Sequence, residues 1–155
     1  GGRIRIETGE EKFYSLVRHQ EIKLNIDNIK MLPNIITETS DLESQFKDLF
    51  GSSEASNAKS VIYFFRSVRP IPRLRGESDI LYIGKTKQSI KGRYLQYAKH
   101  LATGSSGCFY RYIIDNYGGL RLGFVIVDNP NEMEKYYFKE YRAAYLENPP
   151  KSKVG

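Results

Sequence analysis

Histidine is the commonest side chain for moving protons near neutral pH, and this chain has only His19 and His100. Cys108 is its single cysteine, so no disulfide or thiolate metal cluster can form within these residues. A histidine-rich zinc site lacks ligands for the same reason. What remains is tyrosine beside cations: Tyr63 and Tyr82, then Lys85, Lys87, Lys91 and Arg93. A phenol titrates near 10, so it acts as a base only where positive charge or a metal-bound water favours the phenolate. Hydrolysis of a phosphodiester needs such a base, cations to absorb charge on the phosphoryl oxygens, and a group to stabilise the leaving oxygen.

Charge distribution points toward the same chemistry. The chain carries a net +6 over 155 residues. Residues 61–100 hold nine basic and two acidic side chains, whereas residues 1–60 hold eight and ten, and residues 101–155 seven and six. Positive charge concentrated in one stretch attracts a polyanion, because each neutralised phosphate releases counterions. The plainer alternative is a solvated face. With 40% hydrophobic and 27% charged residues, the composition is that of a soluble globular domain. No apolar run approaches the ~20 residues that span a bilayer, and the leading residues lack the apolar core of a secretory signal. The expectation is an intracellular (cytoplasmic) protein without a membrane partner.

The elements that must position these residues follow from pattern. Residues 3–7 and 21–27 alternate apolar and polar and predict short strands or extended arms. Ser40 and Glu43 fit a capping box, and Leu42, Phe46, Leu49 and Phe50 form an apolar stripe, so a helix is expected from Asp41 to Phe50. Residues 52–57 are small and polar and read as a linker. This divides the chain into an accessory segment, 1–58, and a main unit, 59–155. Within that unit, strands are expected at 61–65, 80–83 and 120–127, and a breaker-rich loop at 69–79. Helices are expected from Ser89 to Leu101, from Cys108 to Tyr117, and from Asn131 to Leu146 with Glu134 completing the cap. The order β-β-α-α-β-α implies a two-layer α+β domain around a small three-stranded antiparallel sheet.

Val61-Ile62-Tyr63, followed by Tyr82-Ile83-Gly84-Lys85-Thr86, resembles the paired signature of the GIY-YIG nucleases, with Val61 in place of the first glycine. Arg93, nine residues after Gly84, matches the family's helical arginine. Tyr97 stands one turn on, on the same helix face. Glu140 lies nine residues before Pro149 and resembles the family's metal-binding glutamate. The resemblance covers about residues 60–152; Ser152 stands near the place of the family's closing asparagine. It implies a DNA endonuclease using Mg²⁺ (Mn²⁺ substituting), with Tyr63 as base assisted by Tyr82, Lys85 and Arg93. Arg93 and Tyr97 would hold the scissile phosphate, Glu140 would hold the metal, and the products would carry 5′-phosphate and 3′-hydroxyl ends.

Other residues extend that expectation to binding. Arg66, Arg69, Arg73 and Arg75, in the loop between the signature strands, together with Lys85 and Lys87, are candidates for contact with double-stranded DNA. One catalytic set per chain cuts one strand, so cleavage of both strands needs a homodimer or two encounters. Residues 1–58 would supply that contact, a specificity element or a cover for the sheet. Each residue also has an ordinary reading. Tyr63 and Tyr82 fit any strand, Arg93 and Lys85 fit a solvated surface, and Glu134, Glu147 and His100 read as surface residues. Glu140 is the harder one to dismiss: it falls on an apolar helix face, where a carboxylate is costly unless paired or metal-bound. A nucleic-acid-binding module of the same fold without catalysis, or a nuclease for RNA, are the competing readings.

Overall fold

The structure, a computed structural model, describes residues 23–151. The sequence positions 3–7 lie outside them, and residues 23–27 form an irregular arm without strand pairing. Elements follow in the order β1 (Lys30–Met31), α1 (Leu42–Phe50), α2 (Ser53–Asn57), β2 (Lys59–Pro72), β3 (Glu77–Ser89), α3 (Ile90–Tyr94), a 3₁₀ turn (Leu95–Tyr97), α4 (Ala98–Ala102), α5 (Gly104–Tyr117), β4 (Leu120–Ile126) and α6 (Pro130–Tyr145). The class is α+β, as expected, but the sheet has four antiparallel strands in the order β1-β4-β2-β3 rather than three. The extra strand is two residues long and is paired by Lys30 and Met31 to Phe124 and Gly123. Two residues are too few for an alternating pattern to show.

Alternation along β2 builds two cores. Val61, Tyr63 and Phe65 face a layer made by α1, α3, α4 and α5, while Ile62 and Phe64 face α6. The described residues before 59 join both cores: Leu42, Phe46, Leu49 and Phe50 are buried in the first, and Leu24, Ile26 and Ile29 pack against the second. Phe50 stacks on Tyr94 with ring centroids 5.2 Å apart. Burying each such aromatic side chain contributes on the order of 2 kcal/mol. The supposed linker is helix α2, capped by the Ser52 hydroxyl accepting from the Ala55 amide and seated by buried Ala55. Small polar residues encode a cap here as readily as a flexible tether.

The expected 69–79 loop is another departure. Strands β2 and β3 continue almost to the turn, which is only residues 73–76, with Gly76 at φ 67° and Arg73 donating to its carbonyl. Pro70 falls where the ladder is shifted, between the pairs Arg66–Ile80 and Ile71–Ser78, so its missing N–H is not needed. The helix expected from Ser89 to Leu101 is broken into α3, the 3₁₀ turn and α4. Ser89 still caps it, accepting from Gly92. Asp41 rather than Ser40 caps α1, with a left-handed backbone and no side-chain bond. Asn129, not Asn131, caps α6, which stops at the left-handed Leu146 before the prolines are reached.

Candidate active site

The β2–β3 ladder sets Tyr63 opposite Gly84 and Phe65 opposite Tyr82. A side chain at position 84 would place its Cβ 2.3–2.4 Å from the tip of the Tyr63 ring, inside any permitted contact. The glycine is therefore needed: without it the Tyr63 ring could not lie across β3 toward the sheet edge. Next to this, the ladder slips one residue at Leu81, so both Leu81 and Tyr82 turn toward the first core. Tyr82 then packs beside Tyr63, ring centroids 6.1 Å apart.

Helix α3 delivers the other groups. Tyr94 donates its hydroxyl to the Tyr63 oxygen at 2.7 Å, in a buried pair. Arg93 holds its guanidinium 5.2 Å from the Tyr94 ring centre and 5.0 Å from that of Tyr97. Burial lowers the Arg93 pKa, but the nearby phenols of Tyr63, Tyr94 and Tyr97 outweigh it and raise the net value. Burial raises the Tyr63 phenol well above its ordinary value, with Tyr82 and Glu134 adding to the rise. The Tyr94 hydrogen bond and the Arg93 charge oppose it. Tyr94 is raised further, first by burial and then by Tyr63 and Tyr82. Of the two bonded phenols, Tyr94 is the donor and is held the more firmly protonated.

The carboxylate that reaches this group is Glu134. Its Oε1 lies 3.6 Å from the Lys85 ammonium, and its charge acts on Tyr63. Glu140, the glutamate expected from the sequence, is half-buried and has no hydrogen bond or ion pair among the described residues. It is not among the largest influences on Tyr63 or Arg93. Six helical residues separate the two glutamates by about 9 Å along the axis and a third of a turn around it, so only one can serve the same point. The helix is pinned at its carboxyl end, where Arg75 donates to the carbonyls of Ala143 and Ala144. Glu140 sits one turn from that pinned end; Glu134 lies farther along, toward Tyr63.

The arginines expected to read DNA are otherwise engaged. Arg66 binds Asp79 at 2.6 Å, Arg69 donates to the Asn116 carbonyl at 2.9 Å, and Arg73 pairs with Glu147 and donates to the Asn148 carbonyl. Arg66 is thus paired within the hairpin, while Arg69, Arg73 and Arg75 tie the hairpin to the carboxyl-terminal ends of α5 and α6. Lys85 and Lys87 stay exposed near the candidate site. Comparisons with protein families, curated proteins and solved structures return no match. Tyr94 lies within the helix expected from Ser89 to Leu101 and is not among the expected site residues, although a buried tyrosine needs a partner for its hydroxyl. From the sequence, Glu134 reads as a cap. The discriminating signal, which glutamate faces the Lys85 side of the sheet, is geometric.

Among the described residues no three His, Cys, Asp or Glu side chains gather as a metal site, and no helix is long and apolar enough to cross a membrane. Mg²⁺ does not require such a cage, because it keeps waters and commonly takes one or two carboxylates plus substrate phosphate oxygens. Glu134, partly exposed and bound to a lysine that can move to a phosphate, fits that pattern.

Proposed function

We propose that this chain is an endonuclease of the GIY-YIG type that hydrolyses phosphodiester bonds in DNA. The observation that carries it is the convergence of Tyr63, Tyr94 and Arg93 from one face of the sheet with Glu134 and Lys85 from the other. Arg93 and Tyr97 would hold the phosphate and stabilise its developing negative charge. Tyr63, after releasing its own proton to solvent, would as phenolate take the proton of the attacking water and return to neutral phenol; Tyr94, donating to that oxygen, favours the phenolate before the transfer. Glu134, in place of Glu140, would hold a divalent cation, with Lys85 transferring to the substrate. Bound there, Mg²⁺ would supply Lewis-acid polarisation of the phosphoryl and leaving 3′-oxygens.

The rise in the Tyr63 pKa favours one rival, a binding module without catalysis, since a buried neutral phenol is a poor base. Nicking of supercoiled plasmid in Mg²⁺, abolished by EDTA, is the expected outcome. Retained plasmid binding with no nicking in Mg²⁺ or Mn²⁺ would select the binding module. Parallel incubation with structured RNA decides the preferred nucleic acid.

A further inference from the structure

Beside Arg93 lies a cavity of about 220 Å³ between β2, β3 and helices α3–α5. Its mouth carries Arg93, Tyr97 and His100; its inner walls are Phe65, Leu101 and the ring of Tyr110. The remaining wall cation, Lys151, holds its ammonium over the Phe109 ring. A phosphate suits the mouth and not the interior, where an anion loses hydration among aromatic rings. The interior nevertheless presents polar points besides the phenols of Tyr82 and Tyr94. Ser106 and Tyr110 are both buried, both line the space, and neither hydroxyl has a hydrogen-bond partner among the described residues.

We propose that this cavity receives one unstacked nucleobase adjoining the phosphate held by Arg93. A base is a flat heterocycle whose faces stack on aromatic rings and whose edge offers donors and acceptors, which is what the walls and the two hydroxyls match. The volume admits one base and no paired neighbour. A base inside an intact duplex cannot enter, so the substrate class is nucleic acid with an unpaired or extruded nucleotide next to the cut: a single strand, flap, bulge or mismatch. The inference rests on the nuclease reading for the location of the phosphate, but the pocket can be tested without cleavage.

The test is calorimetric titration of the full chain, in EDTA, with a trideoxynucleotide containing a central thymine and with its analogue carrying an abasic tetrahydrofuran there. Stacking on aromatic side chains predicts roughly tenfold or greater weakening for the abasic ligand. Ser106→Phe, which fills the cavity, is expected to bring the intact ligand down to the abasic affinity and leave the abasic one unchanged. Tyr110→Phe, which removes only a hydroxyl, is expected to weaken the intact ligand severalfold and serves if the first variant does not fold. Binding of the two ligands within threefold of each other, or binding of neither, overturns the proposal. Glu134→Gln separates the two ideas: it is expected to abolish nicking and keep the base-dependent affinity. A chain that discriminates the base and cuts nothing retains the pocket and loses the nuclease reading.

Discussion

The two ends of the β2–β3 hairpin are both crowded with cations, yet they use them in opposite ways. At the turn, Arg66, Arg69, Arg73 and Arg75 all end on carboxylates or backbone carbonyls of the protein. At the root, Lys85 and Lys87 remain exposed, and Arg93 lies against rings and phenols with its charge directed at Tyr63. Counting charges along the sequence treats these sets alike. The difference lies in what each set faces: Asp79, Glu147 and backbone carbonyls at or just past the ends of α5 and α6 absorb the arginines, whereas among the described residues Lys85 meets only Glu134, at 3.6 Å.

The largest expected effect that sharpens this contrast is at the root. Tyr63→Phe removes one oxygen from a packed ring, and on the proposed reading it lowers the nicking rate by about 10²–10⁴-fold. Its thermal midpoint should fall only modestly: the ring contacts persist, and the buried Tyr94 hydroxyl loses its partner at a cost of about 1–3 kcal/mol. A parental nicking rate would mean that the buried phenol is structural. Next comes the crossed comparison between ends. Arg75→Ala should cost about 1 kcal/mol of stability in denaturant titration through loss of the α6 carboxyl-end contacts, with DNA affinity unchanged. Replacing Lys85 and Lys87 with alanine should do the reverse: little change in stability, weaker DNA binding, and a salt dependence shallower by about one power per lost phosphate contact. If Arg75→Ala weakens DNA binding as much as the lysine pair does, the contrast fails.

A smaller effect follows from the tyrosine cluster. Burial raises the phenols of Tyr63, Tyr94 and Tyr110 in the folded chain above their ordinary value near 10. The unfolded chain then releases these protons first, so their contribution to stability is complete below pH about 10 and declines as pH climbs toward the folded values. Denaturant titrations between pH 9 and 11 should show that decline, and Tyr94→Phe should make it shallower.

Much of the architecture was legible from pattern because it rests on local signals. The aromatic β-branched run at 61–65 and the stripe Leu42–Phe46–Leu49–Phe50 each encode their element within a few residues. The missing pieces depend on partners distant in the chain. Residues 69–72 join a strand because a shifted ladder accommodates Pro70; Ser52 caps a helix because Ala55 has a core to enter. The site divides similarly. Tyr63, Tyr82, Arg93 and Tyr97 do come together, since adjacent strands and one helical turn bring them there. The choice between Glu134 and Glu140 hangs on how α6 is rotated and where its end is pinned, which no spacing within the helix records.

That choice is the most direct test of the account. Glu134→Gln and Glu140→Gln should be compared side by side for plasmid nicking in Mg²⁺, with DNA binding measured for both. The account predicts a loss of at least ~100-fold for Glu134→Gln and a rate within about threefold of parental for Glu140→Gln. Loss at Glu140 with retention at Glu134 would contradict it.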